Sequence, residues 1–112
     1  RLTRRKCWIG YSVRPEGILR IDTGAATAIV TGGKSLLPSG IAGVEGEFGM
    51  GAPVECRSPE DTTLGVGLVN YRAGDIRRIM GLQSGQIVAT LGNQPYDEVI
   101  HRDNLTITTV EE

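Results

Sequence analysis

Aromatic residues are scarce in this chain: one Trp, one Phe and three Tyr among 112 residues. A core must therefore be filled by Val, Ile, Leu and Ala, and the length allows one such core without a second, nucleotide-binding lobe. Cysteine is nearly absent as well. Cys7 and Cys56 stand alone, without the close Cys or His spacing that holds zinc, and read as two reduced thiols rather than a disulfide framework. No apolar run approaches membrane-spanning length, and the basic start is not followed by the hydrophobic stretch of a signal peptide.

Catalytic signatures are missing too. Gly49-Met50-Gly51 lacks the third glycine of a dinucleotide loop, and Gly65-Val66-Gly67 is embedded in a strand pattern instead of preceding a helix. His101-Arg102-Asp103 copies the opening of a protein-kinase catalytic loop. Thr108, however, stands where that loop carries its magnesium-holding Asn, and no Asp-Phe-Gly is present. A hydrogen-bonded structural role suits the lone His101 better than metal or acid-base duty, and Arg102 is free to pair with an acid. Glu45, Glu47, Glu55 and Asp61 are scattered through a turn-broken region, where nothing fixes two carboxylates at a catalytic separation.

What is abundant is glycine. Sixteen of them point to many turns and bulges, hence to a short-stranded fold that is mainly β with short α-helices. Charge is unevenly placed. Residues 1–20 carry six bases against one acid, and residues 21–112 carry six bases against twelve acids. A polyanion would have to meet a local basic patch or the N-terminal segment, which otherwise reads as a solvated linker.

Along the chain, residues 4–13 read as a short helix presenting Trp8 and Ile9, and Pro15-Glu16-Gly17 turns into a strand over 18–21. Asp22 or Thr23 caps a helix whose Ala25, Ala28 and Ile29 fall on one narrow face, and Gly32-Gly33 supplies its positive-φ stop. Val54 and Cys56 alternate with Glu55 and Arg57 as in a half-buried strand, Ser58-Pro59-Glu60-Asp61 is a turn, and 64–71 is a strand in which Gly65 and Gly67 permit a bulge or tight corner. Ile76, Ile79 and Met80 are helix-spaced, with Asp75 in the first turn and Gly81 at the end. Ser84 is the expected cap of a further helix carrying Ile87 and Leu91 and stopped by Gly92. A final strand pair, 98–101 and 105–110, flanks Arg102-Asp103-Asn104, and the last strand is expected beside an early one.

The segment 34–41 is the strongest candidate for recognition. Lys34 and Ser35 suit a phosphate, and Ser39 and Gly40 offer a hydroxyl and backbone amides beside Pro38. The structural alternative is that Leu36, Leu37 and Ile41 face the barrel while Pro38 and Gly40 shape a turn. A single lysine here, where RNA surfaces cluster several charges, favours that alternative. Arg72, Arg77 and Arg78 form the other basic cluster and complete the set of candidate RNA or partner contacts.

Several words of this sequence resemble one family. Arg5-Lys6-Cys7-Trp8-Ile9, Asp22-Thr23-Gly24-Ala25, Ser35-Leu36-Leu37-Pro38-Ser39-Gly40-Ile41, Val44-Glu45-Gly46-Glu47-Phe48, Leu68-Val69-Asn70-Tyr71 and Val99-Ile100-His101-Arg102-Asp103-Asn104 resemble the C-terminal PUA domain of bacterial glutamate 5-kinases. The resemblance covers nearly the whole chain. It implies a PUA-like pseudobarrel over 18–112, preceded at 1–17 by a basic helix or linker from an amino-acid-kinase domain. It also implies a cytoplasmic, homo-oligomeric parent that phosphorylates glutamate at the start of proline synthesis. The glutamate, ATP and magnesium sites would lie in the kinase domain, leaving this piece without catalytic, cofactor or metal residues. Two roles then stand side by side: an accessory module that contacts the kinase domain of the same chain and tunes activity, regulation or assembly, and an RNA-binding module as in tRNA-modifying relatives.

Overall fold

The structure, a computed structural model, describes residues 14–108. Five strands form one mixed sheet: β1 (Gly17–Ile21), β2 (Ile41–Glu45), β3 (Pro53–Arg57), β4 (Thr63–Leu68) and β5 (Leu105–Ile107). Three short helices accompany it: α1 (Thr23–Val30), α2 (Ala73–Ile79) and α3 (Ile87–Leu91). The strand order is β2-β1-β3-β4-β5, with β1 and β3 parallel and every other neighbouring pair antiparallel. The architecture is mainly β with short helices, as the glycine content and residue pattern imply. It is a pseudobarrel in the literal sense. Among the described residues β2 and β5 remain edges, while α2 lies against β2 and the 38–40 turn.

Local chemistry explains the helices. The Asp22 carboxylate accepts the Ala25 N–H at 2.7 Å, and the helix ends where Lys34 N–H reaches the Ala28 carbonyl at 3.1 Å across Gly33, whose φ is +63°. Gly81 and Gly92, with φ of +83° and +87°, stop α2 and α3 in the same left-handed conformation. The cap before α3 differs from expectation. Gln86, not Ser84, precedes the helix; Ser84 opens a 3₁₀ turn over 84–86 that leads into it, and Gln83 caps that turn, its N–H donating to Gln86 Oε1 at 2.8 Å.

The core is aliphatic, as the scarcity of aromatics requires. Leu19 and Ile21 of β1, Val54 and Cys56 of β3, Ile29 of α1, and Ile76 and Ile79 of α2 are all buried together. Each such side chain contributes about 1.5–3 kcal/mol when removed from water. Alternation in β3 holds as read, with Glu55 and Arg57 on the outer face. Cys56 is inert in this setting: burial, reinforced by the Glu55 charge, pushes its thiol up to about 12.

Further expectations change. Leu37 is 44% exposed, whereas Leu36 is fully buried and Ile41 nearly so, because the chain is extended here and neighbouring side chains point to opposite sides. The segment 98–101 forms no strand with β5; its Ile100 makes one isolated antiparallel bridge with Leu36. β5 pairs with β4, not with an early strand. Finally, β4 ends at Leu68, and its two glycines serve close approach: a Cβ on Gly65 would lie 2.3 Å from the Thr106 carbonyl oxygen, and one on Gly67 would lie 2.7 Å from Ile100. The bulge itself falls at Leu64, between the partners Cys56–Gly65 and Arg57–Thr63. β5 ends at Ile107, short of the strand expected over 105–110; the helix expected over 4–13 and positions 109–110 lie outside the described residues.

A charge ladder covers the outer face. Arg20 binds Glu45 and Asp61, Arg57 binds Glu55 and Asp61, and Thr63 donates to Glu55. Asp61 holds a φ of 67°, a conformation that Asp tolerates, within the turn closed by Asp61 N–H to the Ser58 carbonyl at 2.9 Å. The Arg20 guanidinium first, then that of Arg57, holds the Asp61 carboxyl below its usual range.

Two predictions follow from this packing. Leu36→Asp should cost about 5 kcal/mol or more, the whole stability of a small domain, whereas Leu37→Asp should cost about 1 kcal/mol or less. Urea unfolding of both variants checks the contrast, and equal losses would contradict it. Because the Asp61 carboxyl is depressed in the folded state, its contribution is complete above about pH 4 and drains away as pH falls through the lower folded value. Asp61→Asn should therefore flatten the acid limb of the melting temperature against pH, read by calorimetry, without altering the slope above neutrality.

Candidate functional site

The segment singled out by sequence forms one wall of a cleft of about 390 Å³ whose other wall is α1. Asp22, which follows β1 and caps α1, also donates its own N–H to the Gly40 carbonyl at 2.9 Å, so helix and loop are locked together at their base. Gly40 is there for contact: a Cβ on it would lie 2.5 Å from that of Ala25. Its N–H is not offered to a ligand, since it donates to the Leu37 carbonyl at 3.1 Å. Pro38 is buried, and its carbonyl accepts from Gly81 N–H at 2.8 Å, tying the turn to the end of α2.

The rim of the cleft carries the chemistry. Lys34, Ser35 and Ser39 line it together with Gly40, over an apolar wall of Ala25, Ala28 and Leu37. The Ser35 hydroxyl oxygen accepts the Arg102 N–H at 2.8 Å, which leaves its own proton available for donation. Four of the candidate residues, Lys34, Ser35, Ser39 and Gly40, thus line one cleft. Gly40 serves packing more than recognition, and Leu37 lies on the cleft instead of in the core.

Arg72, Arg77 and Arg78 are not part of this site. Arg72 pairs with Asp75 at 3.2 Å, and Arg77 reaches Glu47 Oε2 at 2.8 Å and the Gly46 carbonyl at 2.7 Å. Arg78 donates to the Thr90 carbonyl. The helix α2 spends its cations on its own neighbours, so the basic cluster seen in sequence is largely neutralised in space. His101 acts structurally, its Nδ1 accepting the Asp103 N–H at 3.0 Å in a 3₁₀ turn. Arg102, which the sequence leaves free to pair with an acid, has no such partner among the described residues and lines, with Lys34, a crevice at the end of α1. Sequence reading passed over Arg102 as a site residue because 68 positions separate it from Lys34 and no local pattern links them. Among the described residues, no three His, Cys, Asp or Glu side chains gather as a metal set. No described helix is long and apolar enough to cross a membrane.

Comparison with known proteins agrees with this fold. The sequence pattern of the PUA domain matches residues 17–91. The chain is 56% identical over 106 residues to glutamate 5-kinase of Syntrophus aciditrophicus, which covers 95% of this chain and 28% of the relative. In fold it is similar to a PUA domain from Aeropyrum pernix K1, with a TM-score of 0.57 and 23% identity over 77% of this chain and 41% of that one. It is also similar to a chain of the archaeal box H/ACA sRNP Nop10-Cbf5 complex, with a TM-score of 0.51 and 14% identity over 84% of this chain and 24% of that one.

Because α1 rests directly on Gly40, Gly40→Ala should destabilise the domain by about 1–3 kcal/mol through overpacking. Gly49→Ala, with open space around it, should change stability by less than about 0.5 kcal/mol. Paired denaturant melts test this, and a neutral Gly40→Ala would show that the helix can retreat from the loop at no cost.

Proposed function

Since the chain belongs to the PUA domain family, we propose that it is the non-catalytic accessory module of a glutamate 5-kinase. In that role it contacts the kinase domain of the same protein and tunes activity, regulation or assembly. The observation that carries this reading is the 56% identity across 95% of the chain to a glutamate 5-kinase of which it spans only 28%. The remaining length of such a protein would hold the ATP and magnesium sites and phosphorylate glutamate on its side-chain carboxylate, the first step of proline synthesis, in the cytoplasm and as a homo-oligomer. A compact domain in which Arg20, Arg57, Arg72 and Arg77 are paired internally suits docking and tuning better than capture of a long polyanion.

RNA binding is the second reading, favoured by Lys34, Ser35 and Ser39 meeting on one cleft. Against it stand twelve acids and six bases after residue 20, with Arg72 and Arg77 already paired to carboxylates. Few phosphates can be neutralised by what remains.

The chain alone should show no magnesium-dependent phosphorylation of glutamate in a coupled assay. Removing it from the longer protein should leave that reaction measurable while changing its response to effectors or its sedimentation behaviour. An intact response and an unchanged assembly after removal would refute the tuning role. Binding of a structured RNA should stay near about 10⁻⁴ to 10⁻⁶ M at physiological salt. Much tighter, steeply salt-dependent binding, lost in Lys34→Glu with the fold intact, would make RNA the primary partner.

A further inference from the structure

The loop that joins β2 to β3 carries an apolar side chain that the fold displays instead of burying. Met50 is 64% exposed, the greatest exposure among the large hydrophobic residues described. It stands at the tip of a turn closed by Ala52 N–H to the Gly49 carbonyl at 3.3 Å, with Gly51 at a φ of +83°. The turn is firmly held. Gly51 N–H donates to the Val69 carbonyl at 2.7 Å, Val69 N–H returns to the Ala52 carbonyl at 3.1 Å, and Ala73 N–H donates to the Phe48 carbonyl at 3.0 Å. Arg77 fixes the loop's other arm through the Gly46 carbonyl and Glu47. An apolar group on a backbone so constrained gives up little conformational freedom when a partner covers it.

Both arms of this loop rest on the point where the chain enters the domain. A Cβ on Gly17 would lie 2.5 Å from the Phe48 ring, one on Gly46 would lie 3.0 Å from the Glu16 carbonyl oxygen, and Glu16 N–H donates to the Pro53 carbonyl at 2.8 Å. Residues before Arg14 are therefore attached at the same end of the sheet as Met50. Charge distinguishes this junction too. Glu16 is exposed and has no ion-pair partner among the described residues, whereas residues 1–14 carry five bases and no acid, so the chain on the far side of the junction is basic. We propose that this end of the sheet is the surface that docks on the kinase domain of the same protein, with Met50 entering an apolar recess there and Glu16 facing a base at its border. The proposal rests on the accessory reading above, in which that domain precedes Arg1.

Oxidation by hydrogen peroxide, followed by peptide mass spectrometry, tests it, because a methionine must be reached by the oxidant to react. The chain has two methionines, and Met80, partly buried against the core, serves as the internal reference. Met50 should react at least about tenfold more slowly in the longer protein than in the 112-residue chain, with Met80 the same in both. An equal Met50 rate in the two proteins overturns the proposal. Protection that arises in the 112-residue chain alone and grows with its concentration would make a second copy the occupant, and overturns it as well. In the longer protein Met50→Glu should reproduce the change in effector response or sedimentation that removing the module causes. Val88→Glu, at a residue 51% exposed on α3, should not. Neither substitution should shift the melting temperature of the 112-residue chain, since both side chains are exposed. A change with Val88→Glu and none with Met50→Glu places the contact on α3 and overturns the proposal. The surface and the accessory role fail separately. An unprotected Met50 in a protein that still responds to removal of the module refutes the surface and leaves the role. A protected Met50 with no response to removal upholds the surface and refutes the tuning.

Discussion

One backbone contact holds the two halves of this domain in register. Leu36 N–H donates to the Ile100 carbonyl at 2.9 Å, and Val99 N–H returns to the Leu36 carbonyl at 2.8 Å, with both Leu36 and Ile100 fully buried. Ile100 in turn presses on β4 where Gly67 leaves room for it. The early loop after α1, the late segment before β5 and the middle of the sheet therefore meet at one place. A polar backbone buried so deeply must find partners, and these two extended segments satisfy each other.

Electrostatics divides the surface into two kinds of territory. On the outer sheet face, bases and acids alternate and cancel, from Glu45 through Arg20 and Asp61 to Arg57 and Glu55. Such exposed pairs add little stability individually, but they hold the turn at Asp61 and remove free charge from the face. At the far end of α1 the pattern breaks: Lys34 and Arg102 line one crevice, and neither has a carboxylate partner among the described residues. The contrast gives the cleft its character more than the count of charges in the chain does.

The same geometry bears on what a PUA fold does in this setting. The residues that could serve recognition sit on a rim whose base is built for rigidity, with Asp22, Gly40 and Pro38 all engaged in backbone bonds. Rigidity at the base lets Lys34 and Ser35 be presented without a large ordering cost when a partner arrives.

The amino-acid sequence determined by itself whatever is settled within a few residues. Capping at Asp22, the left-handed stops at Gly33, Gly81 and Gly92, the turn at 58–61 and the alternation of β3 all follow from local sterics and short-range hydrogen bonds, and each is found in place. The family words were legible for the same reason, since they spell these local motifs. Tertiary structure alone decided that Leu36 and not Leu37 turns inward, that Gly40 and Gly67 make room for Ala25 and Ile100, and that β5 lies beside β4. It also took Arg72 and Arg77 out of the candidate site and brought Arg102 to Lys34. These outcomes depend on which distant segments pair and in what register, and that is set by the collective burial of the core, which no single window of sequence encodes.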